Sequence, residues 1–218
     1  MSKTITVKGT GRVSAKPDYV VISMSLSSQD MEYDKAMELA ANELKQLKSA
    51  LHGAGFEEKA LKTSNFNVRT DYVNLKDADG NYRNKFNGYV VLHSIKLGFD
   101  LDTAKLSKAL SAVSECLSNP ELSIKFTVRD ESTVNEEMLR LASQNARRKA
   151  EILCDASGVE LGALLSVDYN WGKSDLTSAT NYRMAAECMK MSELSRGVDI
   201  EPDEIEISDT VTFVWEIK

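Results

Sequence analysis

Ile5-Thr6-Val7-Lys8-Gly9-Thr10-Gly11-Arg12-Val13-Ser14-Ala15-Lys16-Pro17-Asp18 lies near the start of the chain. Ile5, Val7, Gly9, Gly11, Val13 and Ala15 alternate with polar neighbours, the period of a strand with one buried face. Two glycines on the inward face leave room for a bulky neighbour to lie close, or for the strand to bend sharply. Pro17 has no N–H to give a ladder, so the strand ends there and the chain turns through Pro17-Asp18. A phosphate-binding loop is excluded, because Gly9-Thr10-Gly11 runs on into strand and meets no helix N-terminus.

Val20, Ile22, Met24 and Leu26 mark a second half-buried strand. From Tyr33 the period becomes helical, with Met37, Ala40, Leu44, Leu47 and Leu51 on one face, and Gly53 and Gly55 end the helix. A third strand runs from Leu61 to Val73, a turn covers Lys76 to Asn81, and a fourth strand runs from Gly88 to Phe99. A second helix starts at Asp102 or Thr103 and stops at Asn119-Pro120. Leu122, Ile124, Phe126 and Val128 give a fifth strand. Thr133-Val134-Asn135-Glu136 has the form of a capping box opening a helix over Val134 to Ser157, closed by Gly158. Leu165 to Trp171 reads as the sixth strand, Gly172 to Pro202 has no clean period, and Ile205 to Ile217 alternates as a last strand.

The order β-β-α-β-β-α-β-α-β-β predicts an α+β fold with largely antiparallel sheets. Residues 19–130 spell the βαββαβ pattern of a ferredoxin-like unit. Residues 1–18 with 131–218 then make a second, smaller sheet-and-helix layer, the whole of 1–218 counting as one domain.

With 27 Lys and Arg against 33 Asp and Glu, the net charge of −6 argues against nucleic acid as a partner, since phosphate neutralisation needs clustered cations. No apolar run long enough for a transmembrane segment is present, and no leader is visible at the N-terminus. Cys116, Cys154 and Cys188 are an odd set and read as reduced thiols in a cytoplasmic chain, or a periplasmic one if a leader has been removed.

Chemistry-bearing constellations are scarce. His93 falls on the apolar side of a strand as a core imidazole, and His52 sits in the last turn of a helix, where a cation meets the terminal carbonyls. Neither has a second ligand at zinc spacing. Asp77 to Asn81 lacks the glycine and glutamate positions of a calcium loop and is a hairpin turn. Arg147, Arg148 and Lys149 point to three faces of one helix, so at least one pairs with a neighbouring acid. Met184, Cys188, Met189 and Met191 form a soft, oxidisable segment suited to packing on a partner more than to binding Cu(I). Cys116 and Cys154 lie within helices as small core residues. The chain is read as non-enzymatic, with no cofactor and no metal.

Gly9, Gly11, Val13, Pro17 and Asp18 match a Gly-x-Gly-x-Val-x-x-x-Pro-Asp signature. Gly88-Tyr89 opening a central strand, Asp100-Leu101-Asp102, Ala146-Arg147-x-Lys149-Ala150, Gly158-Val159 and Leu161-Gly162 complete a set that resembles the SIMPL family over nearly the whole chain. Asp203 stands where relatives often carry Gly before the last strand. The resemblance implies no shared catalytic residues. It implies multimeric, sometimes ring-shaped assembly, and relatives linked to oxidative-stress defence, the bacterial envelope, or adaptor work in animal immune signalling. Three functions follow as expectations: a homo-oligomeric stress-protection protein, a module that recruits another protein, and a thiol or soft-metal protein centred on Cys188. The first leads, with the Gly172 to Pro202 stretch in subunit contact.

Overall fold

A computed structural model describes residues 3–76, 82–116, 120–169, 175–180, 182–184 and 201–218. Strand β2 (Tyr19–Asp30) leads into helix α1 (Tyr33–Gly53), and a single 3-10 turn (Glu58–Ala60) leads into β3 (Leu61–Lys76). Strand β4 (Tyr82–Asp100), helix α2 (Thr103–Ser114) and strand β5 (Glu121–Thr127) follow. They form a sheet ordered β3-β4-β2-β5, the ferredoxin-like order expected from the pattern, extended past β5 by the short β7 (Tyr182–Met184). Val20, Ile22, Met24, Leu26, Ile95, Leu97, Ile124 and Phe126 turn inward from these strands onto Leu47 and Leu51 of α1 and Leu106, Ala109 and Val113 of α2. Each of the large aliphatic chains buried there stabilises by roughly 1.5–3 kcal/mol.

The second group of elements is β1 (Lys3–Ala15), α3 (Glu131–Ser157), β6 (Leu161–Asp168) and β8 (Ile205–Ile217). Its sheet is ordered β1-β8-β6. Val7, Val211, Phe213 and Trp215 pack against Ala142, Ala146 and Ala150 of α3, with the Phe213 and Trp215 rings stacked at 5.3 Å. The chain accordingly divides into two compact units: Met1–Asp18, Thr127–Ala179 and Pro202–Lys218 in one, Tyr19–Phe126 and Thr180–Glu201 in the other.

Several boundaries differ from those read in the sequence. Helix α3 is capped by Asp130, not Thr133: the Asp130 carboxylate accepts from the backbone N–H of Ser132 and Thr133, and the Thr133 hydroxyl donates to it. A carboxylate is a strong acceptor for the first free amides of a helix, and it sits at the positive end of the helix dipole. Helix α2 ends at Ser114, short of the Asn119-Pro120 stop. Strand β4 begins at Tyr82, so Gly88 lies inside it; β6 starts at Leu161 and ends at Asp168, ahead of Trp171. Asp77 to Asn81, Leu117, Trp171 and most of Gly172 to Pro202 lie outside the described residues.

Candidate functional site

The Gly-x-Gly strand serves a packing role. Strand β1 pairs with β8 from Lys3 to Ala15 without a register shift, and the glycines meet the close neighbour expected of them. The neighbour is α3. A Cβ at Gly9 would strike the Ala142 carbonyl and the Ala146 methyl, and one at Gly11 would strike the Met138 carbonyl. Met138, Ala142, Ala146, Ala150 and Cys154 recur every fourth residue as the buried stripe of the helix. Missing side chains on the strand and small ones on the helix thus bring backbone to backbone.

Strand β1 is an edge, and α3 also covers part of it. The backbone N–H of Thr10 donates to Asn145 Oδ1 at 3.1 Å, and Lys149 Nζ donates to the Lys8 carbonyl at 3.0 Å. Asn145 and Lys149 are four apart, so one helix face supplies both partners. Arg147 points elsewhere and pairs with Glu151 at 3.0 Å, the neighbouring acid anticipated for this run. Arg148 joins Thr10, Arg12 and Gln144 around a shallow recess of about 600 Å³. Asp18 ties down the end of the segment: its N–H donates to the Thr127 carbonyl and its carboxylate accepts from the Arg129 N–H at 2.7 Å. Gly158 adopts φ 67° and closes α3, with the Val159 N–H returning to the Cys154 carbonyl. Gly162 lets β6 approach the backbone of Glu216.

Gly88-Tyr89 belongs to the other unit and shapes a hairpin. The pairing of β3 with β4 skips Asn87 between Asp71–Gly88 and Tyr72–Phe86, a bulge that Gly88 allows by taking φ 110° against the backbone of Asp30. Asp71 Oδ2 accepts from Asn87 at 2.7 Å and from Gln29 at 3.2 Å, which fixes the bulge and holds the Asp71 carboxyl below the usual carboxylate range. Strand β2 pairs with β4 only as far as Tyr89, so the rest of the hairpin runs on as a two-stranded ribbon. One face carries a chain of edge-on rings, Tyr72–Phe86–Tyr89–Tyr33, with centroids 5.3 to 5.7 Å apart.

Reactive side chains are largely sequestered. His93 is buried as expected, within 2.9 Å of the Thr63 hydroxyl and edge-on to Phe66. Burial, and secondarily Lys48, hold its pKa below the ordinary imidazole value. Cys154 is buried in α3, Cys116 is buried two residues past the end of α2 and not within it, and His52 is exposed in the last turn of α1. Among the described residues, no three His, Cys, Asp or Glu side chains converge as a metal site. Met184 lies in β7, paired with Leu122; its side chain and Cys188, Met189 and Met191 fall outside the described residues.

Half of the large apolar side chains left exposed among the described residues lie on two strands. Phe66, Tyr72 and Leu75 lie on β3, and Leu164, Leu165 and Val167 lie on β6, each about half exposed. Strands β3 and β6 are both outermost in their sheets. Periodicity had assigned Leu165 and Val167 to an apolar strand face without showing that their strand has one neighbour.

Residues 5–215 match the family model SIMPL, a protein of unknown function (DUF541). The chain belongs to the SIMPL family. Among SIMPL relatives, the 26 kDa periplasmic immunogenic protein of Brucella melitensis is 27% identical over 163 residues, which span 75% of this chain and 65% of that protein. Its counterpart in Brucella abortus is 26% identical over the same shares. The uncharacterized protein YggE of Edwardsiella ictaluri is 22% identical over 214 residues, 98% of this chain and 86% of that one. The chain thus spans less than two thirds of the length of the Brucella relatives it matches. Their periplasmic names run against the cytoplasmic expectation. No described helix is long and apolar enough to cross a membrane.

Proposed function

We propose that this SIMPL protein works without catalysis, as a homo-oligomer whose subunits join through their open strand edges. The observation that carries this reading is the row of half-exposed apolar side chains on β3 and β6, both outermost strands. Edge strands of soluble proteins are ordinarily short, charged or covered, because unpaired backbone groups beside apolar side chains recruit further strands. Strand β1 meets that rule through Asn145 and Lys149, whereas β6 carries Leu164, Leu165 and Val167 with no such cover among the described residues. Protection of the envelope against oxidative stress is the setting the family resemblance suggests, and the relatives' names favour the periplasm.

Light scattering across a concentration series tests the reading. It expects a mass that is a multiple of 24.1 kDa, and a lower mass for Leu165→Lys combined with Val167→Lys. A native chain that stays monomeric throughout would remove it.

A further inference from the structure

Strand β3 has the features of an edge left open for a partner. It pairs only with β4, and most of its side chains are exposed on both faces. From Asn65 to Leu75 it holds neither proline nor glycine, and its sole charges are Arg69 and Asp71. Over these eleven residues the edge carries no proline and no lysine, and its charges form one pair of opposite sign. The Arg69 side chain makes no hydrogen bond or ion pair among the described residues, its charge acting on Asp71 of its own strand, while Asp71 is pinned in place by Asn87 and Gln29.

The sequence of this edge is complementary to itself. Two identical strands related by a two-fold axis pair antiparallel about one residue, which faces its own copy, because directly opposed residues share a face. Centred on Thr70, Arg69 of each copy faces Asp71 of the other, giving two opposite-charge pairs. The same register sets Val68 against Tyr72, twice, and Phe66 against Asn74. Phe66, Val68, Thr70 and Tyr72 lie on the α1 side of the sheet, opposite His93, Val91, Tyr89 and Phe86 of β4, so the two aromatic faces become one surface. No other centre brings Arg69 to Asp71, the only acid on the strand: Lys76 lies on the opposite face, and Lys62 lies beyond the register shift at Ser64.

We propose that the partner of this edge is a second copy of the chain, joined β3 to β3 in the register centred on Thr70, making one continuous sheet of two subunits. This rests on the self-association proposed above and names one of its contacts. Opposed charge pairs select the register as well as contributing attraction, since a slip leaves them unpaired.

The test uses the 218-residue chain with Cys188→Ser. Thr70→Cys is expected to form a disulfide-linked dimer on mild oxidation, because the two sulfurs would sit directly across the pair. Asn74→Cys, about 27 Å from its own copy in that register, is expected to give at least tenfold slower cross-linking. Arg69→Asp and Asp71→Arg should each weaken self-association at least tenfold, because each homodimer then opposes like charges twice. An equimolar mixture of the two should associate again, both pairs being restored. Equal cross-linking at the two positions, or an Arg69→Asp protein of unchanged mass, would overturn the β3 contact while leaving self-association standing. A native chain monomeric at every concentration would overturn both.

Discussion

At the scale of single residues, the SIMPL signature is a record of close contacts. Gly9 and Gly11 are glycine because the backbone of α3 occupies the space where their Cβ atoms would be. Gly9→Ala or Gly11→Ala is therefore expected to destabilise by roughly 1–3 kcal/mol, since a backbone carbonyl cannot swing aside as a side chain can. Urea unfolding measures this, and an unchanged midpoint would refute it. Alternation alone indicated a buried strand face, but whether helix or bend filled the gap depended on α3, more than a hundred residues away. His93 was legible as a core imidazole from its place among apolar strand residues. Its pKa is depressed by burial, so the folded chain holds it neutral where the unfolded chain, with an ordinary value near 6.5, takes up a proton. Stability from this group is present above about pH 6.5 and is lost as the pH falls from there toward the folded pKa. The urea midpoint should decline between pH 7.5 and 5, and His93→Leu should flatten the decline; an identical slope in the variant would contradict the assignment.

At the scale of elements, periodicity located the helices and long strands, and local competition moved their ends. The capping-box pattern pointed to Thr133, yet the helix opens three residues earlier, where Asp130 accepts from the Ser132 and Thr133 amides and from the Thr133 hydroxyl as well. Those hydrogen bonds, first from Ser132 and then from Thr133, hold the Asp130 carboxyl down at about 2, against 3.8 unperturbed. Its contribution to α3 is thus complete above about pH 4 and is lost as the pH falls through about 2. Asp130→Ala should lower the melting temperature at pH 6 by a few degrees, and the gap to the native chain should close toward pH 2. A gap constant with pH would show that the carboxylate is not the cap. The β3–β4 hairpin exceeds its predicted length because polar Asn84 and Lys85 broke the apolar alternation that marks a strand. Gly88→Ala should disturb the bulge, since a side chain at φ 110° is strained and would meet the Asp30 carbonyl. Loss of amide-exchange protection from Tyr82 to Tyr89 is the expected readout, and unaltered exchange there would count against the bulge's dependence on glycine.

At the scale of the molecule, the packing positions of the motif residues and most of the exposed apolar surface separate. Motif residues build packing: glycines under α3, Asp18 at the junction with α3, Gly158 at its end, Gly88 at the bulge. Half of the large apolar residues exposed among those described lie on β3 and on β6 beyond its Leu161-Gly162 start, away from these packing positions. Which strands are outermost is a property of topology, so a one-dimensional reading could list Phe66, Tyr72 and Leu165 as strand residues without placing them at an edge. The Met184 to Met191 segment, the strongest sequence candidate for a contact, lies almost wholly outside the described residues. Self-association through strand edges is the central claim. Sedimentation of the native chain beside Arg69→Asp, Asp71→Arg and their equimolar mixture tests it most directly. The native chain should sediment as an oligomer, each variant alone should associate less, and the mixture should recover. A native chain sedimenting as a 24.1 kDa monomer at every concentration would contradict it.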